Sequence, residues 1–159
     1  MSEVNLNRFL ADRIRKAGEG LTAAIEKMPD EKIAWHPKTS EGEGRDALDQ
    51  ALECAYLNEW VAEGYRTQIS PQIDWEDYKV QCDKRRNKAD CVRWLHSSTN
   101  SLADAVESFP AAKLGETCRD TVHNIDTTWA NFAIDLFYWN TVYHEGQVNY
   151  IQVLYGDLS

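Results

Sequence analysis

Apolar residues recur along this chain at spacings of three and four, the signature of amphipathic helices, and no stretch reads convincingly as a strand. Four helices are predicted. The first carries Leu6, Leu10, Ile14, Ala17, Leu21, Ala24 and Met28, close to a heptad seam, and ends at Met28-Pro29. Gly18 and Gly20 weaken its middle by about 1 kcal/mol each and make a bend there an expectation. The second is expected over about Ala47 to Tyr65, capped by Asp46, with Leu48, Leu52, Ala55 and Ala62 inward and Glu53, Tyr56 and Trp60 along one flank. The third runs from about Lys88 to Phe109, with Val92, Leu95, Leu102, Val106 and Phe109 on one face and Pro110 as its stop. A long connection, residues 66–87, precedes it. Such a connection allows the second and third helices to run in the same direction, as short loops would not.

The last helix is expected from about Thr127 to Tyr155, capped by Asp126 and closed by Gly156. Trp129, Phe132, Ala133, Leu136, Tyr143, Tyr150, Ile151 and Leu154 read as its buried stripe, and Asn140, His144 and Gln147 fall on the same stripe. A buried polar group without a partner costs about 1–3 kcal/mol, so something in the interior must face these three. The segment Phe132 to Val142 is apolar on every side except for Asp135. It therefore needs an outer cover, either the long connection or, by preference, a second copy of the chain.

The run His144-Glu145-Gly146-Gln147, followed by Tyr150-Ile151 and Leu154-Tyr155-Gly156, resembles the last helix of the DinB-like (YfiT-like) metalloprotein superfamily. That helix carries a His-x-x-x-His-x-Gly-Gln pattern. Met28-Pro29, then Trp35-His36-Pro37, then the helix opened by Arg45-Asp46-Ala47-Leu48, resemble further motifs of the same family, and the likeness spans about Leu6 to Gly156. It implies an all-α four-helix bundle with a divalent metal held by three His, one from the second helix and two from the last. Here the first His of the last-helix pair is replaced by Asn140, and the second-helix His aligns with Glu53. The implied ligands are thus Glu53, Asn140 and His144, with Asp49 the substitute if the register differs by one turn. Asn140 is a neutral, weak donor, so the resemblance implies weakened binding of zinc, nickel, iron or manganese. Homodimers and transfer of low-molecular-weight thiols, with the metal activating the thiolate, are implied by the same resemblance.

A length of 159 residues suits one domain, and a net charge of -9 argues against a nucleic-acid partner. The basic run Lys84-Arg85-Arg86-Asn87-Lys88 reads as a solvated loop. Neither a signal peptide nor a membrane span is evident, and a cytoplasmic protein is expected. Cys54, Cys82, Cys91 and Cys118 lack metal or redox spacing and are expected as reduced thiols, with Cys54 read as a small core residue in preference to a reactive thiol. Trp35 is expected over a bundle end with His36 pointing outward, His96 at an exposed margin, and His123 in the cap region of the last helix.

Three functional readings follow. Glu53, Asn140 and His144 hold a metal in an enzyme, with a small-molecule substrate the sequence does not identify. Alternatively Glu53 orients His144 as a metal-free general base. In the third, the bundle is non-catalytic and keeps the polar trio as a hydrogen-bonded remnant.

Overall fold

The computed structural model describes residues 5–157, and of Thr39 and Leu136 the backbone alone. Leu136, expected on the buried stripe, lies outside the described side chains. Helix α1 (Leu6–Lys27) starts at Asn5, whose side chain accepts from the Arg8 amide, and is unbroken through both glycines. A tight hairpin of β1 (Lys38–Thr39) and β2 (Gly42–Glu43) leads to α2 (Ala47–Thr67). Asp46 caps α2 in a reciprocal box with Asp49, satisfying amides at both positions. The expected long connection contains a helix of its own, α3 (Trp75–Lys84), capped by Asp74. Helix α4 (Lys88–Ser108) starts at Asn87 and ends one residue before Phe109-Pro110.

A hairpin of two four-residue strands, β3 (Thr117–Asp120) and β4 (Ile125–Thr128), follows. It takes Thr127 and Thr128 out of the expected last helix, and Thr128, not Asp126, caps what comes next. That helix runs without a break as α5 (Trp129–Phe132), a π-helical stretch (Ala133–Tyr138) and α6 (Trp139–Leu154). Gly156 closes it at φ +100°, as expected.

The four long helices pack in the cyclic order α1, α4, α2, α6. Asn7 donates to the Val106 and Phe109 carbonyls while Lys88 donates to Met28, so α1 and α4 are antiparallel. Tyr56 meets Trp94 and Tyr65 meets Phe109, so α2 and α4 run the same way, the direction that the long connection permits. Gln152 donates to Ala24 near the ends of α6 and α1, and Leu10 near the start of α1 lines one pocket with Ala133 in the stretch that leads into α6, so these two are also parallel.

The core contains the expected Leu10, Ile14, Leu21, Leu48, Leu52, Leu95, Leu102 and Val106. The last helix departs from expectation. Trp129, Phe132, Ala133 and Ile151 are buried, but Tyr143, Tyr150 and Leu154 are 44–63% exposed. Together with Trp139, Val142 and Val153 they form an outward apolar stripe. Phe137, expected on the outer side, is buried against Phe132 at 5.3 Å between ring centroids. The long connection does not cover this stripe. Its helix α3 lies on α2, where Tyr78 packs edge-on against Tyr56 at 5.3 Å. No described helix is long and apolar enough to cross a membrane.

Candidate metal centre

His144 sits on α6, buried to 4% exposure, and faces the first half of α2. Its Nδ1 lies 2.5 Å from Gln50 Oε1 and 2.8 Å from Gln147 Oε1. Two amide oxygens accept only if Nδ1 carries the proton, so the neutral ring presents its lone pair at Nε2. That Nε2 is buried and has no hydrogen-bond partner, although Glu53 Oε1 stands 3.4 Å away. The Glu53–His144 approach is therefore an electrostatic contact without hydrogen-bond direction.

Glu53 is held from its other oxygen. Arg45 Nη1 lies 2.7 Å from Glu53 Oε2. Burial pushes the Glu53 carboxyl up, but His144 and the Arg45 charge outweigh it, and the group ends below its ordinary value. Glu53 is thus ionised near neutrality. Asn140, the third expected ligand, turns toward α2 one residue further on, with Nδ2 3.9 Å from Cys54 Sγ. Cys54 is fully buried, and burial raises its thiol far above the ordinary range. The chain thus brings Glu53 and His144 together directly, with Asn140 one residue along. Gln50 is an unexpected member. Its signal in the sequence was a polar residue one turn before Glu53, on the same side of α2.

A second cluster was not foreseen. His36, Asp46 and Asp49 each offer a ligand atom, all within 4.8 Å of one another, and can hold a metal ion. His36 does not point freely outward. Its Nδ1 lies 2.9 Å from the Gly44 carbonyl and its Nε2 3.5 Å from Asp46 Oδ2. A cation is already present, however. Arg86 donates to Asp46 Oδ2 at 2.7 Å and to Asp49 Oδ1 at 2.6 Å. Asp49, the substitute ligand in the sequence, belongs to this cluster and not to the one around His144. His96 is exposed beside Asn100, and His123 lies in the β3–β4 turn with Nδ1 2.7 Å from Asp120 Oδ2.

Among solved structures, the chain superposes on YfiT from Bacillus subtilis with a TM-score of 0.74, over 98% of this chain and 91% of that one, at 12% identity. The fold is that of YfiT. YfiT is described as a probable metal-dependent hydrolase with an unusual four-helix bundle topology. No protein-family model matches the chain, and no curated protein matches it in sequence. The likeness establishes the YfiT-like bundle and leaves the chemistry to the side chains.

The two clusters differ in their fitness for a divalent ion. An ion between Asp46 and Asp49 must displace Arg86 from two short bonds and compete with the helix cap. At His144 one donor is idle. Two donors about 2.1 Å from a tetrahedral ion lie about 3.4 Å apart, which is the spacing of Glu53 Oε1 and His144 Nε2. The donor set at His144 fits a divalent cation, with Arg45 as its competitor for Glu53.

Proposed function

We propose that the protein is a metal-dependent enzyme in which Glu53 and His144, with Asn140 beside them, hold a weakly bound divalent cation. The observation that supports this is the buried, unbonded Nε2 of His144 facing a carboxylate oxygen at 3.4 Å. Two lone pairs at that distance in a buried site repel unless a proton or a cation lies between them, and a bound cation is the occupant this reading assigns. Bound there, a divalent ion would polarise a substrate carbonyl or activate a nucleophile. The nucleophile is water in a hydrolase such as YfiT is described to be, or a low-molecular-weight thiol in an S-transferase.

The chain's own residues supply the rest. Gln50 and Gln147 fix the imidazole tautomer from Nδ1, as outer partners of metal-bound His residues do. Arg45, 43% exposed, tethers Glu53 and offers its remaining donors to an anionic substrate group at the mouth of the site. Burial of His144 keeps bulk water off Nε2.

Calorimetric titration of untagged protein with manganese, iron, nickel and zinc tests the proposal. One ion per chain is expected, lost in His144→Ala and kept in Asp49→Asn. Asn140→His adds an imidazole and should tighten zinc or nickel at least tenfold, about 1.4 kcal/mol. Equal binding by wild type and Asn140→His removes these residues from any metal site.

One observation favours a second reading. Arg45 already compensates Glu53 at 2.7 Å, which suits a metal-free pair with His144 as general base. Arg45→Gln separates the two. Metal affinity rises if an ion competes with the guanidinium, and no metal binds to either protein if the pair works alone. Absence of both metal binding and any hydrolase or transferase activity would leave a non-catalytic bundle.

We further propose a homodimer through the outward stripe of α6, its members being Trp139, Val142, Tyr143, Tyr150 and Val153. Contiguous exposed apolar residues on one helix face mark an association surface.

A further inference from the structure

A pocket lies away from Glu53 and His144, where the first half of α1 meets the π-helical stretch. Its volume is ≈ 290 Å³, and it is lined by Phe9, Leu10, Arg13, Ala133, Ile134 and Tyr138. Four of these are apolar side chains. Ala133 supplies a small buried floor, while Phe9 and Ile134 stand 48% and 39% exposed at the rim. The wall on one side is the π-helical stretch Ala133–Tyr138, a rare backbone form that is frequent at functional sites.

The two polar lining residues are Arg13 and Tyr138. Arg13 makes a cation–π contact with Phe9, 5.5 Å from the ring centroid, and no carboxylate pairs with it among the described residues. Arg15, two positions on, contrasts with it by binding Asp12, Asp104 and Glu107. The Tyr138 hydroxyl likewise has no hydrogen-bond partner among the described residues.

An apolar cavity with a few convergent donors is the usual form of a small-molecule site. From the charge complementarity of Arg13, the Tyr138 hydroxyl and the apolar walls, we propose that this pocket binds a small amphipathic carboxylate. The acyl or aryl body lies against Phe9, Leu10, Ala133 and Ile134. The carboxylate accepts from the Arg13 guanidinium and the Tyr138 hydroxyl, charge-assisted bonds of the stronger kind.

Octanoate, 1-octanol and octylamine are suitable probes, since they share a chain and differ in head group. Titration followed by nuclear magnetic resonance on the full-length protein should show octanoate binding at least tenfold tighter than 1-octanol, with octylamine weakest. Arg13→Gln, at an exposed position, should leave the fold intact by circular dichroism and erase the preference for octanoate over 1-octanol. Tyr138→Phe should weaken octanoate several-fold while leaving 1-octanol unchanged. Equal affinity for octanoate and 1-octanol, or no binding of either, overturns the proposal. So does octanoate binding that appears only on dilution of a dimer, since a second copy of the chain would then be the pocket's occupant. None of these outcomes depends on metal binding at His144.

Discussion

Gly18 was expected to loosen α1, and its surroundings give the opposite reason for its presence. A Cβ at Gly18 would lie 2.3 Å from Thr99 Cγ2 and 2.9 Å from Thr99 Cβ, so α1 and α4 approach closely there. Thr99 cannot swing away, because it is β-branched and holds Asn58 Nδ2 at 3.2 Å. Gly18→Ala should therefore cost about 1–3 kcal/mol in urea unfolding, more than the helix propensity gained. Gly146 is the control. A Cβ there meets nothing within 4 Å, so Gly146→Ala should stabilise by up to about 1 kcal/mol. Equal effects of the two substitutions would show that α1 and α4 are not in close contact. The cysteines behave at the same scale. Burial pushes Cys91 to about 12 and Cys82 and Cys118 to about 11, and raises Cys54 as well, against an ordinary 9.0. Groups raised in the folded state contribute stability that is whole below the unfolded value and falls as pH climbs through the folded one. The melting temperature should hold to about pH 9 and then decline, before the raised tyrosines contribute above 10.0. In Cys54→Ala/Cys91→Ala the decline between pH 9 and 10 should be shallower, and an unchanged slope would remove the thiols as its cause.

Among the elements, α1, α2 and α4 were legible because their ends are set by local chemistry. Asp46 caps α2, Met28-Pro29 stops α1 and Pro110 lies just beyond α4. Helix α3 was missed because its ten residues bury only Cys82 as an apolar anchor of their own. The last helix was found but faced wrongly in its second half. Tyr143, Tyr150 and Leu154 do form a helical stripe, yet a helix apolar on several sides carries no signal of which side is inward. At the site, Glu53 and His144 followed from the resemblance and are in contact, whereas Gln50 and the His36–Asp46–Asp49 cluster depend on tertiary approach that spacing does not encode. The basic run before α4 is likewise a tertiary device and not a solvated loop. Arg86 clamps the start of α2, Arg85 lies 4.3 Å over the Trp94 ring, and Lys88 reaches the Met28 carbonyl. Asp46 is 0% exposed, and its burial raises the carboxyl despite Arg86. Arg86→Ala would leave it without its ion pair at a helix start. With Arg86 itself 37% exposed, a loss of about 2 kcal/mol is expected in chemical denaturation, below the cost of a wholly buried pair. A loss within about 0.5 kcal/mol would reduce the clamp to an ordinary surface pair.

For the whole molecule, the parallel pairing of α2 with α4 and of α1 with α6 leaves one long helix face without a partner. The core side of α6 carries His144, Val148 and Ile151, while its outer side carries Trp139, Val142, Tyr143, Tyr150 and Val153. Trp139 and Tyr143 stack at 5.3 Å with planes 12° apart at the start of that side. Gly146 follows one turn on with open space above it, so a facing backbone can come close. An isologous pairing sets the same stripe against itself, as two-fold dimers require. Phe137 is buried and would test the core, so the variant that tests the interface is Trp139→Glu or Val142→Glu, each on an exposed residue. Sedimentation should give dimers for wild type and monomers for either variant, with circular dichroism and melting temperature otherwise close to wild type. A wild type that sediments as a monomer at high concentration would leave the stripe uncovered and remove the dimer. If the dimer forms and the metal site is real, Trp139→Glu should leave metal affinity unchanged. His144 faces α2 within its own chain, through Gln50 at 2.5 Å and Glu53 at 3.4 Å, so the donor pair is complete without a second copy.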